Sequence, residues 1–272
     1  MITFSVVTIT YNAENVLGKT VDSVFSQTYP HVEHVIIDGA STDGTVQIAQ
    51  DYMHRSYTAA NGHKIRIVSE PDNGLYDAMN KGLKQVSGDY VLFLNAGDFF
   101  PNADILNAIA HNAHLQSSDN SCLPAVLYGN TDIVDNEGRF LCHRRLQPPE
   151  KLTWRSFKNG MLVCHQAFYA RVDIAKEILY NCNYRYSADV DWCIRVMKEA
   201  GRRKLSLLNV KMTVVNYAKE GQTTIHHRDS LKERYYVMCE HYGKLSTIFM
   251  HIWFVVRQFF KRLFHRLHAA LN

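Results

Sequence analysis

Within its first hundred residues the chain alternates short strand-like apolar runs with stretches of helical period, four strands separated by three helices. Residues 3–9 are strand-like, and 14–27 carry Val16, Leu17, Val21, Val24 and Phe25 at helical spacing. Residues 32–37 form a second strand pattern that ends in Asp38-Gly39. Ser41 to Thr45 is a turn and cap, followed by a helix to about 55. Residues 64–69 are a third strand, Asn73-Gly74 a turn, 75–86 a helix and 90–94 a fourth strand. Strands separated by helices predict parallel β-α-β units with right-handed crossovers. Ligands of such sheets bind beyond the carboxyl ends of the strands. Tyr11-Asn12, Asp38, Glu70 to Asp72 and Asn95 to Asp98 all follow strand ends, so four polar clusters converge on one edge.

The remainder is less regular. A helix is expected over 103–115, a strand over 125–134, a break at Pro148-Pro149 and a strand over 161–169 carrying His165-Gln166. A helix over 187–200 and a strand over 205–216 follow, and from about 228 the pattern is helical. The six cysteines contain no C-x-x-C pair, and we read them as buried free thiols in a reducing compartment. The opening strand lacks a basic n-region, so no signal peptide is expected, and no apolar run has the length of a spanning helix. Residues 245–272 hold four basic side chains and no acidic one, leaving a body of 26 basic against 26 acidic residues. A neutral body argues against nucleic acid as a partner.

Four clusters can carry chemistry. In Asn95-Ala96-Gly97-Asp98 a carboxylate at a strand end can bind a hard divalent cation that bridges a diphosphate, or it can cap the next helix. Asp38 can accept hydrogen bonds from a base or ribose, whereas Asp43 reads as a cap. The segment Ser69 to Gly82 joins a polar turn to a helix start, where amide groups can hold a phosphate, with Lys81 adding charge. The alternative there is a plain Asn73-Gly74 turn and a solvated lysine. In Ser187-Ala188-Asp189-Val190-Asp191 the two carboxylates lie at i and i+2, hence on different helix faces. One of them can be a general base for a hydroxyl nucleophile, or an N-cap. Neither a P-loop nor a G-x-G-x-x-G is present.

Together these motifs resemble the family 2 glycosyltransferases, most closely the bacterial exopolysaccharide and O-antigen enzymes of the colanic acid type. The resemblance spans about 2–225. It rests on Val-Thr-Ile-Thr-Tyr-Asn12, Ile-Ile-Asp38-Gly-Ala-Ser-Thr-Asp-Gly-Thr45, Ser-Glu-Pro-Asp-Asn-Gly-Leu-Tyr-Asp-Ala-Met-Asn-Lys-Gly82, Phe-Leu-Asn-Ala-Gly-Asp98, His165-Gln166 and Ser-Ala-Asp189. It implies an α/β GT-A fold, a mostly parallel central sheet flanked by helices, with C-terminal amphipathic helices. Residues 1–225 would be the transferase domain, with a nucleotide-sugar half over 1–98 and an acceptor half over 99–225. Residues 226–272 would be a helical tail.

The resemblance further implies that Thr10, Asn12, Asp38, Asp72, Asn80, Lys81, Asn95, Ala96 and Gly97 contact the nucleotide sugar. Asp98 would hold Mg²⁺ or Mn²⁺, although Asn95 replaces the first aspartate of the usual Asp-x-Asp. Asp189 would be the base, with Asp191 as fallback and Ala188 where relatives have glutamate. His165 and Gln166 would line the acceptor side, and Thr223 and His226 would reach the diphosphate. The donor would be a UDP- or GDP-sugar and the acceptor a saccharide or lipid-linked hydroxyl. Rival readings are a nucleotide-sugar-binding subunit without transferase activity, favoured by Asn95 and Ala188, and a nucleotidyltransferase. The latter lacks the Gly-rich basic loop after the first strand.

In the tail, Ile252, Val256, Phe259, Phe260, Leu263 and Leu267 recur at helical spacing beside Arg257, Lys261, Arg262, His265 and Arg266. This predicts either an interfacial helix on the anionic cytoplasmic face of a membrane or a helix packed on protein. The protein is therefore expected in the cytoplasm, peripheral to the membrane.

Overall fold

A computed structural model of the chain describes residues 2–113, 123–135, 137–218, 227–254 and 256. The elements are β1 (Phe4–Thr10), α1 (Glu14–Phe25), β2 (Val32–Asp38), α2 (Thr45–Ala59), β3 (Lys64–Ser69), α3 (Leu75–Gln85) and β4 (Tyr90–Phe93). There follow α4 (Ile105–Asn112), β5 (Val126–Val134), β6 (Phe140–His143), β7 (Phe168–Arg171), α5 (Val172–Glu177), α6 (Ala188–Arg202), β8 (Leu207–Ala218) and α7 (His227–Tyr242). Residues 244–254 form a further helix.

Every residue of β1, β2 and β4 is buried, as expected of strands covered on both faces. Ile36 of β2 packs with Leu17, Val21, Ala49 and Tyr52 of α1 and α2, while its neighbours Val35 and Ile37 join the main core. Alternation along one strand thus divides the two layers. The strands run in the order β3-β2-β1-β4-β7-β5-β6, and β8 pairs with β5. The pairs β3-β2, β2-β1 and β1-β4 are parallel, and so is β5-β8. The pairs β4-β7, β7-β5 and β5-β6 are antiparallel. The sheet is therefore mixed, parallel through its first half and antiparallel where β7 is inserted beside β4. Because β8 follows one edge of β5, β7 and β6 succeed each other along the opposite edge.

The expected strand over 161–169 is displaced. His165–Ala167 is a short 3-10 turn, and the strand is Phe168–Arg171. The strand β6, the 3-10 turn Trp154–Asn159 and α5 were not foreseen. Asp43 lies one residue before the N-cap Gly44 of α2 rather than at the cap itself, but it accepts from the first N–H groups of two helices. It accepts from the Thr45 N–H (3.0 Å) at the start of α2 and from the Glu14 N–H (3.2 Å) at the start of α1. The five described cysteines are free, but of the expected buried thiols only Cys193 is buried, Cys164 and Cys239 being half-buried and Cys142 and Cys182 exposed.

Candidate active site

The ends of β1 to β4 meet where α3 and α6 begin. A cleft of about 750 Å³ opens there, lined by Thr10, Tyr11, the turn Asp72 to Asp77, Cys182 and Tyr184 to Tyr186. Thr10 pairs with Asp38 at the strand ends, and its Oγ1 is buried without a hydrogen-bond partner. An unsatisfied hydroxyl on a cleft wall is available to a ligand. Asp72 accepts from the Gly74 N–H (2.8 Å), and its Oδ2 lies where a Cβ on Gly39 would come within 2.5 Å. A side chain at position 39 would push Asp72 off this wall. Tyr11 is 64% exposed at the cleft and offers a ring face to a base.

Deeper in, a second group of residues forms one network. Gln166 Nε2 donates to Asp98 Oδ2 (2.9 Å), and the Ala218 N–H donates to Oδ1 (3.4 Å). The turn that presents Asp98 needs Gly97, whose φ is +99°. Burial pushes the Asp98 carboxyl up to about 6, opposed by the Gln166 bond and the charge of His165. His165 Nε2 faces Asn95 Nδ2 at 3.4 Å, and its Nδ1 lies 3.3 Å from Asp189 Oδ2. The Nδ1 edge of the ring thus faces Asp189 and its opposite edge Asn95. The Tyr76 hydroxyl donates to Asp189 Oδ1 (3.3 Å). Asp189 is thus held on both oxygens at the first turn of α6. Burial opposes its charge, but the His165 hydrogen bond and the charges of His165 and Arg234 outweigh this and lower its pKa. Tyr76 also lines the cleft, so it links the outer wall to the carboxylate.

Under the network lies an aromatic stack. Tyr76 stacks on Tyr180 (5.6 Å) and Tyr180 on Trp192 (4.8 Å), with Phe93 edge-on to both Tyr180 and Trp192. Trp192 and Asp189 share α6, so this stack fixes the helix that carries the carboxylate.

Asn95 Oδ1 is buried without a partner. An orphaned carbonyl oxygen beside a buried carboxylate fits a hard cation such as Mg²⁺ or Mn²⁺. No group of three His, Cys, Asp or Glu gathers among the described residues. Cations of this class commonly take one or two protein oxygens and complete their shell with phosphate and water, and Asn95 and Asp98 are the residues that would offer those oxygens.

Several expected contacts are engaged elsewhere. Asn80 is 8% exposed and clamps the main chain of Tyr180, accepting from its N–H (2.7 Å) and donating to its carbonyl (3.0 Å). Lys81 donates to the Pro71 carbonyl (2.6 Å) and pairs with Glu70 (2.9 Å), bracing the turn that carries Asp72. Asn12 accepts from the Thr42 N–H (2.9 Å), tying the β1-α1 and β2-α2 loops. Asp38 is 1% exposed, with its oxygens engaged by Ser41 and Ser69. The Ala96 N–H bonds the Ile9 carbonyl (3.3 Å). Asp191 faces away, bound by Arg195 (2.7 Å) and His241 (2.7 Å) between α6 and α7. Thr223 and His226 lie outside the described residues. Tyr11, Tyr76, Tyr217 and Arg234 are additions to the expected set. Burial and the charge of Asp98 push the Tyr217 hydroxyl up to about 12, and Arg234 Nε is buried without a partner. Only Tyr11 and Tyr76 carried a sequence signal, since both stand inside the quoted motifs.

The family model for "Glycosyl transferase family 2" matches residues 5–179. A "PGL/p-HBAD biosynthesis glycosyltransferase" of Mycobacterium bovis is 35% identical over 194 residues, 71% of this chain and 68% of that protein. An uncharacterized glycosyltransferase of Mycobacterium tuberculosis is 31% identical over 196 residues, with the same coverage. Among solved structures, S. aureus TarS 1-349 in complex with UDP-GlcNAc superposes with TM-score 0.66 at 19% identity, over 94% of this chain and 72% of that one. The mannosyltransferase PcManGT from Pyrobaculum calidifontis, in complex with GDP-Man and Mn²⁺, gives 0.60 at 16% identity, over 88% and 64%. The strand order, the site at the strand ends and these matches agree that the chain belongs to the family 2 glycosyltransferases, with a GT-A fold.

Proposed function

We propose that the protein transfers a sugar from a UDP- or GDP-sugar to an acceptor hydroxyl with inversion, in a single displacement. The observation that carries this reading is the Asp189 carboxylate, held by His165 and Tyr76 beside the donor-sized cleft. Its lowered pKa keeps it ionised at neutral pH. Asp189 takes the proton of the acceptor hydroxyl as that oxygen attacks the anomeric carbon, and the nucleoside diphosphate departs. Thr10, Tyr11 and Asp72 line the donor's wall. Asn95 and Asp98 would hold the cation, which when bound supplies charge stabilisation to the departing diphosphate. The unpaired Arg234 Nε supplies a further donor near Asp189. Residues 1–98 carry the donor's contacts and 99–225 the acceptor's. The acceptor is a saccharide or lipid-linked saccharide in surface polysaccharide assembly, met at the cytoplasmic face of the membrane. The complexes of structural neighbours with UDP-GlcNAc and with GDP-Man and Mn²⁺ support a nucleotide-sugar donor and a cation.

The second reading, a binding subunit without transfer, draws on Asn95 and Ala188. One assay separates the two. The purified protein is given Mn²⁺ and a panel of nucleotide sugars, with and without an extract of lipid acceptors, and nucleoside diphosphate release is followed. Acceptor-dependent release with one donor supports transfer. Donor binding by thermal shift with no release under any condition supports the binding subunit.

A further inference from the structure

The helix over residues 244–254 is inside out. Its inward side is Thr247, 1% exposed, and His251, whose ring meets Tyr235 of α7 at 5.4 Å. Its outward side is apolar, with Leu245 75%, Phe249 71%, Ile252 55% and Trp253 56% exposed, and Val256 follows at 37%. Leu245, Phe249, Ile252 and Val256 follow one another at four, three and four residues, with Trp253 beside Ile252, and form one stripe. A helix of a free globular protein places its apolar stripe inward, so a continuous exposed stripe marks a contact surface. No described residue covers it.

We propose that this stripe docks on an anionic lipid surface. Charge decides between the occupants. Beyond the stripe the sequence carries Arg257, Lys261, Arg262 and Arg266 and no acidic residue, and the apolar period continues through Phe260, Leu263 and Leu267. A second copy of the chain would bring two such basic segments together and repel. A bilayer with anionic headgroups takes up both the aromatic stripe and the adjoining charge. No described helix is long and apolar enough to span the bilayer. The inference refines the membrane part of the proposed function. Its test uses no sugar donor, so its failure leaves the transferase chemistry standing.

The full chain is sedimented with vesicles of phosphatidylcholine alone and of phosphatidylcholine with phosphatidylglycerol, at low and high salt. Binding is expected only with the anionic lipid, weakening as salt rises. The double variant Phe249→Ser, Trp253→Ser should weaken binding at least about tenfold with unchanged circular dichroism. Tyr57→Ser, which removes an 86% exposed aromatic from α2, should bind as the parent does. Three outcomes overturn the proposal: no binding to anionic vesicles, equal binding by the double variant, or a dimer in analytical ultracentrifugation that the double variant dissolves.

Discussion

Asp98→Asn should make the apo protein more stable while abolishing its activity. The folded carboxyl is raised from 3.8 to about 6 by burial. A folded pKa above the unfolded one means that ionisation opposes folding. Below pH 3.8 both states are protonated and nothing is lost. Between 3.8 and about 6 each pH unit removes about 1.4 kcal/mol of stability, and above that the full penalty of about 3 kcal/mol stands. Asparagine removes the charge. It keeps an oxygen for Gln166 but turns an amide toward the Ala218 N–H, forfeiting a long 3.4 Å bond worth about 1 kcal/mol at most. The net gain is about 2 kcal/mol near neutral pH, and it vanishes below the unfolded pKa. Urea unfolding of both proteins in EDTA, at about pH 7.5 and about pH 3.5, reads this difference directly. Added Mn²⁺ should stabilise the wild type alone, by mass action. A variant less stable than wild type at neutral pH, or a difference that does not change with pH, would refute the burial argument.

Other expectations follow from single contacts. Asn80→Ala leaves the Tyr180 main chain unsatisfied in the core and should cost about 2–3 kcal/mol in urea unfolding, with turnover retained in the folded fraction. An unchanged stability with lost nucleotide affinity would instead make Asn80 a donor contact. Cys142 and Cys182 are the exposed thiols among the described cysteines, and only Cys182 lines the cleft. Mass spectrometry after maleimide treatment should therefore show nucleoside diphosphate protecting Cys182 and not Cys142. Asp191→Asn breaks the pairing with Arg195 and His241 and should lower stability by about 2 kcal/mol, with the rate per folded molecule close to wild type.

The legibility of this chain followed burial. Strands β1, β2 and β4 are covered on both faces, so they had to be largely apolar runs, and they are plain in the sequence. All four residues of β6 are exposed although Phe140, Leu141 and Cys142 are apolar, and a run of three with no alternation on either side does not announce a strand. Met161 to Cys164 is an apolar run without strand pairing, which explains why the strand expected there begins only at Phe168. The i, i+2 spacing of Asp189 and Asp191 foretold that they part company. It could not foretell which one meets His165, a residue on a different element. The burial of Asn80 follows from helical period. Tyr76, Asn80 and Leu83 lie at i, i+4 and i+7 of α3 and share its buried face. The hydroxyl of Tyr76 reaching Asp189 depends on a contact 113 residues apart in the chain, and no local pattern encodes it.

In the proposed reaction Asp189, positioned by His165 and Tyr76, removes the acceptor's proton. The most direct test is Asp189→Asn, which keeps the size of the side chain and an oxygen for hydrogen bonding but cannot take the proton. Donor affinity is measured by calorimetry and turnover by nucleoside diphosphate release in the presence of acceptor. Loss of the base alone should leave the donor Kd within about twofold of wild type and lower kcat by about 100-fold or more. A variant that turns over within a few-fold of wild type would contradict that role for Asp189.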